Sequence, residues 1–194
     1  MSASEIPIFP LHAVLFPEGL LPLRIFEQRY LEMAKACLKD DAPFGVCLIR
    51  EGREVGAPAI PAEIGCLARI VHWEMPRLGL LEVKARGERR FRILERRVRE
   101  DGLVLARIEP LPEEADAPVA ERYAVLRRLL EQLLAQGAAA LVAEPWRLDS
   151  SAWLSARLAE ILPLPLAARQ QLLELADGPA RLALLARLLM PKAE

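Results

Sequence analysis

The sequence contains no asparagine and no threonine, and only five serines and two histidines among its 194 residues. A Cys-His-Asn triad cannot be assembled from it, and a Ser-His-Asp triad would have to use His12 or His72 as base. Cys37, Cys47 and Cys66 are odd in number and form no C-x-x-C pair. That speaks against a disulfide scaffold and a thiolate zinc site, and fits a reducing, cytoplasmic compartment. No H-x-x-x-H or His–Cys spacing occurs either, so no metal site is expected. The ten glycines include no Gly-x-Gly and no Gly-Lys, which removes the dinucleotide fingerprint and the phosphate loop; no cofactor is expected. A charge imbalance is missing too. With 26 basic and 27 acidic residues the net charge is −1, so no overall field draws the chain to nucleic acid or to a membrane. No apolar run approaches the ~18 residues of a membrane span. The opening MSASEIPIFPLHAVLFPEG lacks a basic leader and is broken by Pro7, Pro10 and Pro17, so no signal peptide is expected.

What is present is an ordinary globular composition, 53% hydrophobic and 27% charged, whose character changes along the chain. Residues 1–110 hold 16 Val or Ile and 15 Leu; residues 111–194 hold four Val or Ile, 21 Leu and 19 Ala. β-branched residues suit pleated sheet, whereas Leu and Ala suit helices. The segment PLPEEADAP (110–118) reads as a linker, and the expected division is 1–112 and 113–194.

In the first part, residues 6–9, 14–16 and 20–25 are short apolar runs punctuated by prolines and read as strands. Over 27–41 the period changes: Tyr30, Leu31, Ala34, Cys37 and Leu38 lie on one helical stripe. Residues 44–49 read as a buried strand and 51–63 as a loop. Segments 64–73 and 80–86 flank EMPRLG (74–79), and 89–98 and 103–108 flank Asp101-Gly102, which are two hairpin signals. Seven short strands and one helix point to a mostly antiparallel sheet or small barrel.

In the second part, Val119, Tyr123, Leu126, Leu130 and Leu133 form one stripe. Asp149 or Ser150 caps a helix carrying Trp153, Leu154, Leu158, Ile161 and Leu162. A third helix covers 167–176 with Gln170, Gln171 and Glu174 outward. A fourth opens at Asp177-Gly178-Pro179 with Leu182, Leu185 and Leu189 inward. The sum is an α+β chain, a β-barrel part followed by a four-helix bundle.

The block FPLHAVLFPEGLLPLRIFEQRYLEM (9–33) closely resembles the opening of the Lon protease amino-terminal domain. The likeness continues at GCLARIV (65–71), ARGERRFRI (85–93) and PLAARQQLLELADGPARLALLARLL (165–189). The resemblance implies a PUA-like pseudobarrel followed by a helical bundle. It also implies a role in substrate recognition and assembly, ahead of ATPase and Ser-Lys protease modules. A related domain in cereblon serves protein–protein contact. No phosphate loop occurs in these 194 residues, so the resemblance is to a stand-alone, non-catalytic version of the domain, and only the recognition role carries over.

Side chains that could do more than pack are few. A Ser-Lys dyad needs a lysine against the serine, but Lys35 and Lys39 lie on the first helix and Lys84 in a strand. Ser150 and Ser151 read as helix caps and Ser155 as a helix interior, so no hydrolase centre is expected. His72 reads as a surface or satisfied histidine and the cysteines as inert packing. Residues 84–99 hold eight basic residues and two acids, and PUA-like folds can bind RNA. Arg86, Arg90 and Arg92, facing solvent between Ala85, Phe91 and Ile93, are the candidate nucleic-acid contacts of that alternative. Only Phe91 interleaves as an aromatic, and base stacking asks for several.

The turn WEMPRLGLL (73–81) is unusual in carrying Trp73, Met75 and Leu78 where solvent turns carry polar residues. Exposed, this tip would suit unfolded or extended protein segments or a partner protein; packed on the helices, it would be core. Trp146 is expected in the core. Trp73, Met75 and Leu78 are the candidate peptide contacts.

Overall fold

The computed structural model describes residues 4–114 and 116–189. They form two compact units that part between Leu111 and Pro112.

The first unit runs β1 (Ser4–Leu11), β2 (Leu20–Ile25), α1 (Gln28–Asp40), β3 (Phe44–Glu51), β4 (Ile60–Pro61), β5 (Ile64–Arg77), β6 (Leu80–Val98) and β7 (Val104–Pro110). The sheet order β1-β7-β6-β5-β3 closes on itself, because β3 also pairs with β1, in the one parallel register among these strands. β1 closes the ring by dividing its length: Ser4–Ile8 pairs with β7 and Ile8–Leu11 with β3. Pro7 and Pro10 each lie where only one edge of β1 is occupied, which is where a residue without an N–H is tolerated.

The continuous apolar runs of β1 and β3 follow from burial on both faces. Ile6, Ile8 and Cys47 enter a small core with Phe91, Val104, Ala106 and Ile108. Their neighbours Phe9, Leu11, Phe44 and Val46 enter a second core with Tyr30, Met33, Ala34 and Cys37 of α1. Glycine is needed where Phe91 fills the small core: a Cβ would lie 2.7 Å from Phe91 Cζ at Gly45 and 2.9 Å at Gly65.

Several elements differ from the sequence reading. Residues 14–16 are buried but join no strand. They are held onto β6 at Gly87, whose carbonyl accepts from Glu18 N–H at 2.8 Å and whose N–H donates to the Gly19 carbonyl at 2.9 Å. β6 is accordingly one strand of 19 residues, not two; Gly87 admits a neighbouring chain and shifts the register with β5 without ending the strand. Within the expected loop 51–63, Ile60–Pro61 pairs with β3. The broad turn 74–79 contracts to Leu78–Gly79. Gly79 at φ 80 reverses the chain in two residues, Arg77 pairs with Leu80, and residues 74–77 become strand.

The second unit holds a 3-10 turn (Glu121–Tyr123), α2 (Ala124–Ala135), a second 3-10 turn (Ala138–Leu141), α3 (Ser151–Ile161), α4 (Leu166–Glu174) and α5 (Gly178–Leu189). An even four-helix bundle is not what forms. α2, α4 and α5 all gather on α3, which is buried nearly all round because Ser151, Ser155, Ala156 and Ala159 let neighbours approach closely. Ser150 caps α3, accepting from Trp153 N–H at 3.1 Å and donating to Asp116 Oδ1 at 2.6 Å. The 3-10 turn ahead of α2 changes the phase of its stripe, so Leu134 is buried where Leu133 was expected, and Val119 precedes the helix. Gln170 is buried instead of outward, its amide donating to Glu174 Oε1 at 2.8 Å. Trp146 is 40% exposed, not core, since it follows no helical period that would aim it inward. Leu189 is half-buried at the end of α5. No described helix is long and apolar enough to cross a membrane.

Candidate functional site

Ser155 is engaged structurally. Ser155 donates to the Ala152 carbonyl at 3.1 Å and accepts from Arg181 Nη1 at 3.2 Å. Arg181, itself buried, also donates to the Leu172 carbonyl at 2.9 Å and ion-pairs with Glu114. Burial pushes the thiols of Cys37 and Cys47 up, away from the thiolate form. His72 is exposed. His12 is tied to a loop: its N–H donates to Glu54 Oε1 at 2.6 Å and its Nδ1 lies 3.5 Å from the same oxygen. Among the described residues, no group of three or more His, Cys, Asp or Glu could hold a metal.

The arginine-rich strand does not present a bare basic face. Arg90 is only 4% exposed. Strand parity states the side on which a residue lies, not whether that side is open; the chain leaving β7 runs beside it, with Leu111 N–H donating to the Arg90 carbonyl at 2.9 Å. Arg86 stands 3.8 Å from Glu18, and Arg92 is exposed. Further along, Arg97 grips Glu5 with two bonds of 2.8 and 2.7 Å, Arg99 holds Asp101, and on β7 Arg107 holds Glu95. Acids pair with Arg86, Arg97 and Arg99 of the run, which lowers its free basic charge and counts against nucleic acid as its partner.

The apolar candidates stand out differently. Beyond Ala68, β5 pairs with β6 on one edge and with no described strand on the other. From Leu81 to Arg86, β6 carries β2 on its far side, so β2, β6 and β5 make a three-stranded ribbon. Leu23, Val83 and Trp73 form one row across its inner face. Trp73 and Met75 are each 53% exposed, and Leu78 at the tip is 96% exposed.

Two depressions adjoin the ribbon. The first, about 330 Å³, is bordered by the consecutive residues 21–27 together with Phe9, Tyr30 and Val55. Lining by residues from both faces of β2 means that this depression follows the strand's edge, and β2 pairs with nothing but β6 among the described strands. The second, about 440 Å³, lies between Arg24 and Phe26 on one side and Arg77, Leu78, Gly79 and Leu80 on the other. Both are lined by Arg24 and Phe26, so they adjoin at Phe26, which is 57% exposed. The wall opposite β2 is a short loop held in place: Glu54 binds His12, and Gly56 N–H donates to Glu27 Oε2 at 3.4 Å, while Glu27 pairs with Arg29 at 2.9 Å.

Phe26 and Val55 escaped the sequence reading. Phe26 falls between the strand period and the helix period, and Val55 sits alone in a Gly/Pro-rich loop, so neither contributes to a pattern.

Residues 5–190 match the model of a family described as the ATP-dependent protease La (LON) substrate-binding domain. The chain belongs to this family. A solved structure, the Lon N-terminal domain protein from Xanthomonas campestris, is similar with 36% identity and a TM-score of 0.79, covering 94% of this chain and 96% of that one. Lon protease of Anaeromyxobacter dehalogenans is 28% identical over 197 residues, covering 97% of this chain and 23% of that protein. Protein cereblon of Xenopus tropicalis is 31% identical over 116 residues, covering 58% of this chain and 25% of that protein. The chain thus spans about a quarter of the length of these curated relatives. The α+β, mostly antiparallel architecture is that of Lon N-terminal domains.

Proposed function

We propose that this LON substrate-binding domain is a non-catalytic recognition module for extended, apolar protein segments, and that they lie along the free edge of β2 and over Phe26 toward the hairpin tip. The observation that carries the reading is two adjoining depressions, with exposed Phe26, Val55 and Leu78, along a strand edge that no described strand pairs. A strand edge offers main-chain donors and acceptors that any extended chain can meet, whatever its sequence. The apolar side chains add burial worth about 25 cal/mol per Å², before ordering costs. Trp73 and Met75 extend the apolar surface on the same ribbon, so the sequence-derived contacts Trp73, Met75 and Leu78 belong to this proposal. Pro22 sits within β2, and a residue without an N–H blunts an edge against indiscriminate pairing while keeping its carbonyl as acceptor.

The test is binding of unstructured apolar peptides, followed by fluorescence anisotropy, to the wild-type chain and to Phe26→Asp. Binding weakened at least tenfold by the substitution, with the far-ultraviolet spectrum unchanged, is expected. Equal affinity of both proteins would rule out this location.

A further inference from the structure

Charge is distributed unevenly along the two joined depressions, and this gives the proposed groove a direction. The part along β2 has acids in its wall, Glu27 and Glu54, but each is already engaged, Glu27 by Arg29 and Glu54 by the His12 N–H. The part at the hairpin tip is different. Its six described lining residues are two arginines, three apolar residues and a glycine, with no acid among them. Arg24 touches Glu82 at 3.0 Å, yet 73% of its side chain stays exposed, and Arg77 is exposed at the end of β5. Two arginines therefore border one depression together with Phe26 and Leu80, and Arg is well suited to a carboxylate because its planar fork donates two parallel bonds.

We infer that the segments this domain takes are apolar segments carrying an acidic side chain at the end that reaches the hairpin tip, where Arg24 and Arg77 receive the carboxylate. This rests on the recognition role proposed above and adds selectivity to it. An apolar segment with lysine in that place would meet two like charges, so the cleft both attracts one sign and rejects the other. The carboxylate is assigned to an internal side chain, because the cleft adjoins the β2 depression and a passing chain can occupy both.

The experiment uses the full chain and three labelled peptides with one apolar core and amidated C-termini: Asp at one flank, Lys at that flank, and a neutral flank. The set is repeated with the flank on the other side of the core, and once with a neutral flank and a free C-terminus. The Asp peptide is expected to bind about fivefold more tightly than the Lys peptide in one of the two arrangements. That ratio should shrink toward one in about 0.5 M salt. In Arg77→Glu the ratio should invert. Comparing ratios separates this inference from the groove itself. Equal binding of Asp and Lys peptides, or a ratio indifferent to Arg77→Glu, overturns the charge selectivity and leaves the apolar groove standing. A carboxylate effect seen only with the free C-terminus overturns the side-chain assignment. No binding by any peptide overturns both.

Discussion

Trp73 stands directly opposite Val83 across the β5–β6 pair, yet Val83 is buried and Trp73 is half exposed. Both side chains lie on one face of the ribbon, and what separates them is cover: Val83 belongs to the second core, with Leu23 of β2 beside it, while Trp73 lies where β5 pairs with no described strand on its other edge. The largest side chain in that row is thus the one left half exposed.

Trp73→Ala and Leu78→Asp should therefore leave stability nearly unchanged, within about 0.5 kcal/mol, as for surface positions without structural partners. Their effect should appear in peptide affinity. Thermal unfolding alongside anisotropy checks this; a large fall in Tm for either variant would make the residue structural.

Gly87→Ala should destabilise the first unit by about 2–3 kcal/mol. A Cβ at Gly87 would collide with the Phe16 carbonyl, which is backbone and fixed by its own hydrogen-bonded turn. Urea unfolding measures the loss, and an unchanged midpoint would show that residues 16–19 can move aside.

Arg181→Leu should cost about 3 kcal/mol, because Glu114 and the carbonyls of Leu172 and Leu175 would lose a buried donor at once. Because Arg181 ties α5 to α3 and to the chain before Asp116, the second unit should loosen first. Hydrogen exchange across residues 151–189 would report this, and uniform protection would contradict it.

Acid should weaken the barrel through its carboxylate pairs. Arg99 and the Leu103 N–H hold the Asp101 carboxyl at about 2, below its ordinary 3.8. Arg97 lowers Glu5 and Arg107 lowers Glu95. Folded values below unfolded ones mean that these pairs contribute fully above about pH 4.5 and lose their contribution as pH falls toward 2. Tm should fall as pH is lowered through that window, and Asp101→Asn should flatten part of the dependence.

Single-stranded RNA should produce no mobility shift even at low salt, since Arg90 is buried and Arg97 and Arg99 are bound to acids. A salt-sensitive shift lost on Arg92→Ala would restore the nucleic-acid reading.

Composition and period alone were enough to read the β-rich first part, α1, the hairpin signals and the helical second part, because β-branched and Leu/Ala-rich stretches carry their own backbone preferences and the stripe of α1 repeats at helical spacing. The odd, apolar character of residues 73–78 was legible as well, since it breaks a local rule of turn chemistry. Tertiary structure decided what lies above each face. Arg90 and Trp73 have the wrong exposure for their type because cover comes from segments distant in the chain. Phe26 and Val55 meet only when β2 and the loop after β3 come together around one depression. A linear pattern encodes which side a residue faces; which sides stay open to another molecule depends on long-range closure of the sheet, and no local period records that.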